Sequence, residues 1–460
     1  MTNNPLSNPN FSKLFAAQII ALVGTGLSTV ALSLLAYEMA GDRAGTVLGI
    51  ALAFKMVAYV FFSPIISGLV HRISRKFFLI SMDVLRAIIV LLMPFVSEIW
   101  HIYLLIFLLN LFSAGFKPVF QAVIPDILNN DEQYGKALAY SRVAYDLENI
   151  LSPTLAGIGL LFFTYSGLFI FNSVAFFISA LIIIITLLPK TKPVERSGNF
   201  IDEVTYGIIS YFRTPRLRSL LVLYIGIAVG SSMVIVNTVI YVKDYLMLPD
   251  TTLALFFACS GLGSMLMAFM YPVIAKKVND KTVIQIGIVT LAISLFLMSY
   301  EPTFSFALIN WFLIGAGLSL SQIPAGKIVN MSANPNDRTA YFSAQFSLSH
   351  LCWLIGYLAA GQLVYIFGFS YTAVFFACIV SICLIYSVLF WPNEEEESIL
   401  THTHTRLTHQ HTHNHDDDHH QHKHMESSDN SNHSHEHSHD QITHKHRFHI
   451  DIHHQNWPSN

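Results

Sequence analysis

Residues 165–188 read YSGLFIFNSVAFFISALIIIITLL, a run without one charged side chain. The next stretch, 190–218, reads KTKPVERSGNFIDEVTYGIISYFRTPRLR and is dense in charge. An uncharged apolar run of about 20 residues is long enough to cross a bilayer as a helix. A membrane strand would be half that length and would alternate. Working outward from this junction, further runs of membrane length fall at 12–37, 44–67, 77–97, 102–127 and 137–162 before it. After it come 219–242, 251–275, 282–300, 303–327, 339–366 and 369–391. The polar stretch divides the spans six and six. The expected fold is therefore an all-α membrane protein of twelve transmembrane helices in two pseudo-symmetric six-helix halves, 1–189 and 219–392. A linker at 190–218 joins them, and two joined halves are the layout of many secondary transporters.

Composition supports this. The chain is 53% hydrophobic and 12% charged, with a mean hydropathy of +0.51, whereas soluble domains carry about 25% charge. A net charge of −3 leaves no basic excess for nucleic acid. The four cysteines (259, 352, 378 and 383) lie in apolar runs, against a secreted disulfide framework. Residues 1–11 are polar and the first run is too long for a cleaved signal. No phosphate-binding loop of the G-x-x-x-x-G-K type is present, so direct ATP hydrolysis is not expected. We expect no enzymatic activity, no resident cofactor and a monomer in a lipid bilayer.

Lys and Arg orient the chain. The even-numbered loops hold Arg72, Arg75, Lys76, Lys136, Lys190, Lys192, Arg196, Arg213, Arg216, Arg218, Lys276, Lys277, Lys281, Lys327 and Arg338. The odd-numbered loops hold only Arg43 and Lys243. Positive loops stay inside, so both termini are expected in the cytoplasm and the protein in the plasma (inner) membrane.

The loop between spans two and three reads Ser67-Gly-Leu-Val-His-Arg-Ile-Ser-Arg-Lys76. It resembles the G-x-L-a-D-R-x-G-R-K motif of the major facilitator superfamily. Ser67 and Ser74 stand where Gly is usual, and His71 where the gating Asp is usual. Arg72, Arg75 and Lys76 keep the charges. Span five carries Leu151-Ser-Pro-Thr-Leu-Ala-Gly157, similar to the antiporter motif G-P-x-L-G-G. With Gln121-Ala-Val-Ile-Pro-Asp126, it resembles the branch of siderophore and macrolide exporters. The resemblance covers 11–392 and implies alternating access, with the motif loop as a gate.

Charged residues inside spans are costly and usually face a cavity or a partner. Span five carries Asp146 and Glu148, with Arg142 at its entry. Arg142 and Asp146 are four apart and share a face, so they can neutralise one another. Glu148 points elsewhere and has no cation at helical spacing. It is our candidate for the carboxylate that exchanges a proton for a cation. Span eleven, the counterpart of span five, carries His350 and Cys352. Aligning Ala156-Gly157 with Ala360-Gly361 sets His350 opposite Asp146 and Cys352 opposite Glu148, whereas aligning Ser141 with Ser343 sets His350 opposite Glu148. Carboxylate, imidazole and thiol are transition-metal ligands. The plainer readings are a hydrogen-bonded His350 and a space-filling Cys352. Asn110, Ser113, Lys117 and Gln121 form one stripe of span four, expected to line the cavity. Lys117 could pair with Glu148 or Asp146 in the empty carrier, and Lys55 could act similarly. Gln18, Thr25, Thr29, Asn310 and Gln322 are further polar candidates, with interhelical hydrogen bonding as the plainer role.

After residue 392 the chain changes character. Nineteen of its 22 His follow residue 400. They include His402, His404, His409, His411, His413, His415, His419, His420, His422 and His424, then His433, His435, His437 and His439. Low complexity predicts disorder across 393–460. Imidazoles interleaved with carboxylates suit nickel, cobalt, zinc or copper, so divalent metal ions are expected partners. A purification tag would be a uniform run, and a pH sensor is an alternative.

Such tails on this branch resemble those of the bacterial nickel-resistance exporters. Ser141–Pro153 and His350–Trp353 look like that subfamily too. This resemblance implies nickel efflux driven by proton entry. The alternative is export of a siderophore or drug-like molecule, with the tail as metal sensor or store. A non-transporting sensor ranks last, because no soluble signalling domain is present.

Overall fold

The computed structural model describes residues 4–40, 44–70, 73–128, 130–189, 200–248, 251–300 and 303–392. It also describes the backbone of 400–404, 407–413, 433–439 and 442–446. The first half comprises α1 (Pro9–Ala40), α2 (Ala44–Val57), α3 (Ser63–Val70), α4 (Arg75–Leu92), α5 (Ile99–Ile127), α6 (Asp131–Leu160) and α7 (Tyr165–Ile184). A π-helical turn, Ala58–Phe62, joins α2 to α3, so the two form one span. The linker contains α8 (Phe200–Arg213). The second half comprises α9 (Pro215–Ile240), α10 (Thr251–Ile274), α11 (Asp280–Met298), α12 (Phe304–Gln322), α13 (Ala325–Met331), α14 (Arg338–Phe367) and α15 (Phe369–Phe390).

Among the described residues, eleven helices are long and apolar enough to cross a membrane. The twelfth expected span is present as α6, 30 residues long. It falls outside that set because it carries Asp131, Glu132, Lys136, Arg142, Asp146 and Glu148. Caps fix several starts. Ser74 accepts from the Phe77 amide at 3.3 Å and Asn279 from the Thr282 amide at 2.9 Å. Asn130 accepts from the amides of Glu132 and Gln133. Ser74, which departs from the family motif, thus caps α4. Gly368 alone separates α14 from α15, and its φ of +83° suits glycine best.

Lipid tails are as apolar as the side chains, so association in a membrane rests on packing and polar contacts. Gly263 of α10 lies against the backbone of Phe312, and Gly315 of α12 against that of Ser260, where an added Cβ would have no room. Each half has its own apolar interior. Leu220, Ile227, Leu291, Trp311, Ile314 and Phe376 belong to the second half's. Phe11, Leu14, Phe78, Phe120 and Ile124, and separately Leu35, Val90, Ile102, Leu168 and Phe176, serve the first. Two smaller clusters cross between halves. One joins Ala139 and Val143 of α6 to Ala268 and Tyr271 of α10, and the other joins Tyr59 and Ala114 to Phe346. Helix α8 bridges both halves: Gly207 abuts the Ala340 backbone and Gly68 abuts Val204.

The tail, 393–460, is described only in short backbone stretches. Its described backbone forms four strands, β1 (Leu400–His404), β2 (Leu407–His413), β3 (His433–His439) and β4 (Ile442–His446). β1 pairs antiparallel with β4, and β2 with β3. The reason is periodicity. His alternates with Thr, Ser, Gln or Glu at period two, and a β-branched or small polar residue at every second position suits a strand. His415, His419, His420, His422 and His424 lie outside the described residues, as do His71 and Arg72.

Candidate transport site

At one end of the bundle, ion pairs join the two halves. Asp126, at the end of α5, accepts from Arg75 at 2.6 Å and also from Arg338 at the start of α14. Arg75 reaches the Pro335 carbonyl at 3.4 Å as well. Glu132 pairs with Lys136 on its own helix and with Lys276 of the other half, each at 3.0 Å. Both cations hold its carboxyl below the usual glutamate range. The Tyr134 hydroxyl donates to the Gly326 carbonyl at 3.1 Å. Lys327 pairs with Asp280 at 2.8 Å, and Tyr271 donates to the same carboxylate at 2.7 Å.

Deeper in, two seams continue the closure. Along α6 and α10, Arg142 lies 3.3 Å from Asp146, while Ser264 donates to Asp146 at 2.5 Å. Arg142 also donates to Ser264 at 3.0 Å and to Gln322 at 3.3 Å. Asp146 is thus bound up with its own arginine and the opposite half. Along α3 and α14, the Ser63 and Ser343 hydroxyls lie 2.9 Å apart. Ser347 donates to the Val60 carbonyl at 2.5 Å, within the π-helical turn where the regular ladder is broken. Such turns often accompany functional sites.

His350 sits at the head of this seam. Its Nδ1 lies 2.7 Å from the Phe346 carbonyl. A carbonyl only accepts, so Nδ1 carries the proton and the neutral ring has its lone pair on Nε2. Aromatic rings surround it: Tyr59 at 4.8 Å, Phe346 at 4.1 Å and Trp353 at 5.2 Å between centroids. The Lys117 ammonium donates to the Tyr59 hydroxyl at 3.3 Å and lies 5.0 Å from that ring's centroid. Lys55 lies 5.7 Å from the same centroid. These are cation–π distances.

Glu148 makes no hydrogen bond or ion pair among the described residues, but Lys117 and Lys55 act on it electrostatically. The same two lysines act on His350. The two groups therefore share the influence of the same two lysines. The hydrogen bond of Lys117 goes to Tyr59, while its charge acts on Glu148. Tyr59 was missed, although its spacing of four from Lys55 was a usable signal. Cys352 faces the second half, with Cys383, Tyr211 and Tyr224 as neighbours.

Along the α5 stripe, hydrogen bonds stay within the helix at two positions. Asn110 donates to the Ile106 carbonyl and Ser113 to the Leu109 carbonyl of their own helix. Gln121 is exposed. On α1, Gln18 accepts from Ser141 at 3.1 Å, an interhelical bond. Among the described residues no group of three or more His, Cys, Asp or Glu is gathered to hold a metal ion. A cleft of about 340 Å³ between α1 and α6 includes Phe15, Ile19, Val23, Leu147 and Leu155 in its lining, with Glu148 its one ionisable carboxylate.

The family model of the Major Facilitator Superfamily matches residues 14–246 and again 220–409. The chain belongs to the major facilitator superfamily. It is 23% identical over 387 residues to an uncharacterized transporter of this type, YfiS, from Bacillus subtilis, covering 80% of this chain and 89% of that one. It is 25% identical over 218 residues to macrolide efflux protein A of Streptococcus pyogenes, covering 46% of this chain and 53% of that one. Among solved structures, the human organic anion transporter MFSD10 matches with a TM-score of 0.73 at 13% identity, over 82% of this chain and 98% of that one. A bacterial homologue of the iron transporter ferroportin, in its outward-facing state, matches with a TM-score of 0.69 at 13% identity. That match covers 83% of this chain and 99% of the other. These structural likenesses concern the superfamily fold, which hosts many substrates.

Proposed function

We propose that this transporter exports a divalent transition metal, nickel foremost, from the cytoplasm in exchange for protons. The observation that carries the reading is the period-two histidine sequence of the tail on a transporter whose spans hold Glu148, a carboxylate without an ion-pair partner among the described residues. With the basic loops in the cytoplasm, the ion pairs of Asp126 and Glu132 close the inner end, and the conformation is outward-facing. In this state Arg142 neutralises Asp146, and Lys55 and Lys117 stand near Glu148 and His350 in place of a cargo cation. Glu148 is the group that takes the incoming proton, and the bare Nε2 of His350 is the imidazole donor. Relatives named as efflux proteins support the outward direction.

The test is metal content and tolerance of cells with and without the protein, across nickel, cobalt, zinc and copper. Lower cell nickel with higher nickel tolerance is expected. In inverted vesicles, nickel uptake should collapse when a protonophore removes the proton gradient. Deleting 400–460 should raise the nickel concentration needed for half-maximal uptake and leave the maximal rate. A complete loss of uptake on deletion would refute the tail's role as a collector.

The apolar cleft around Glu148 favours a second reading, export of an amphipathic organic cation. Unchanged metal content together with faster efflux of a lipophilic cationic dye would decide for it.

A further inference from the structure

Helix α8, in the linker between the halves, presents three faces. One packs on protein. Val204 lies against Gly68 of α3, and Gly207 against the Ala340 backbone of α14. The Tyr206 hydroxyl donates to Asp337 at 3.1 Å, and the Tyr211 hydroxyl donates to Gln345. A second strip carries Asp202 and Arg213, both exposed; eleven residues apart, they lie three turns from one another on one side of the helix. The third face is apolar and uncovered. Ile201, Ile209 and Phe212 are 70%, 45% and 46% exposed. Their spacing of eight and three keeps them on one side. Thr205 lies between them, and its hydroxyl donates to the Ile201 carbonyl of its own helix at 2.8 Å, so the stripe asks nothing of water there.

A contiguous apolar stripe marks a surface that meets another apolar surface. The contacts of α8 say which. From Asp337 to Gln345, its partners lie at the very start of α14 and along its first two turns. That helix is itself long and apolar enough to cross the membrane from Arg338. Helix α8 therefore lies beside the end of a span, and its apolar stripe continues the surface that lipid covers. Arg213 and Arg218 are exposed at its C-terminal end, where basic side chains suit phosphate headgroups. A helix with one apolar and one polar face lies in the interface, its apolar side about 5–10 Å into the headgroup and acyl boundary.

We propose that α8 is a lipid-seated clasp on the end of the bundle closed by Asp126. The phospholipid leaflet at that end takes Ile201, Ile209 and Phe212, while the opposite side of α8 holds α3 to α14. These two helices belong to different halves, so α8 must release one of them when that end opens. Seating in the leaflet fixes α8 in place and favours the closed end. The clasp is independent of which cargo the carrier moves.

The test uses the full-length protein, its four native cysteines replaced by alanine, in vesicles of phosphatidylcholine and phosphatidylglycerol. Nitroxide labels are placed singly at Ile201→Cys, Asp202→Cys and Phe212→Cys, all exposed sites. Lipid-soluble oxygen should relax the labels at 201 and 212 more than the label at 202. Water-soluble chromium oxalate should do the reverse. Equal access of chromium oxalate to all three sites would overturn the seating in lipid. Ile209→Glu with Phe212→Glu should then lengthen the distance between labels at Phe77→Cys and Lys277→Cys, whereas Ile209→Leu with Phe212→Leu should keep it at the parental value. An unchanged distance in the glutamate variant would overturn the clasp.

Discussion

Glu148→Gln should reduce proton-driven nickel uptake by inverted vesicles to that of vesicles without the protein, with normal membrane insertion. The substitution keeps volume and hydrogen-bonding capacity and removes the ability of this position to alternate between carboxylate and acid. Glu148 has no ion-pair partner among the described residues, whereas Asp146 has Arg142 at 3.3 Å and Ser264 at 2.5 Å. A lone carboxylate beside Lys55 and Lys117 is free to choose between a proton and a metal. A paired one must first lose its arginine. Asp146→Asn should therefore weaken closure between α6 and α10 more than it weakens coupling. Glu148→Gln removes a charge that a divalent ion needs, since lysines repel that ion. Proton-driven uptake retained at the parental rate in Glu148→Gln would remove this residue from the mechanism.

Much of the fold was legible because a bilayer imposes its length on every span. The runs around 165–188 needed only apolarity and the absence of charge. Helix α6 was legible for the opposite reason, since its charges mark it among apolar neighbours. The pairing of Arg142 with Asp146 was readable from a spacing of four on one helix. What was not readable is contact across the halves. Asp126 stood in a quoted motif, yet its bond to Arg338 joins residues 212 apart in the chain. No local pattern reports such a bond. Tyr59 was hidden likewise, because an apolar span with one tyrosine looks ordinary until a π-helical turn aims it at Lys117 and His350.

Asp126→Asn should open the inner end. The Asp126 carboxylate serves two guanidinium groups from opposite halves, and the Arg75, Arg338 and Asp126 side chains are 7%, 16% and 9% exposed. Removing one partner of a buried ion pair costs about 3–5 kcal/mol, because a charge is left without compensation. Here the neutral amide leaves two cations facing each other in the closed state only. When the halves part, water solvates both. The penalty therefore falls on one conformation, and about 3 kcal/mol shifts the equilibrium on the order of 100-fold. Spin labels at Phe77→Cys on α4 and Lys277→Cys beyond α10, both exposed sites, should report a longer distance in the variant, with the four native cysteines replaced by alanine. Asp126→Glu, which keeps the charge, should stay close to the parent. An unchanged distance in Asp126→Asn would show that the Glu132–Lys276 pair and the α3–α14 seam hold the inner end without Asp126. The energetic weight of the closure would then lie at mid-depth, where Ser63, Ser343 and Ser347 meet the π-helical turn.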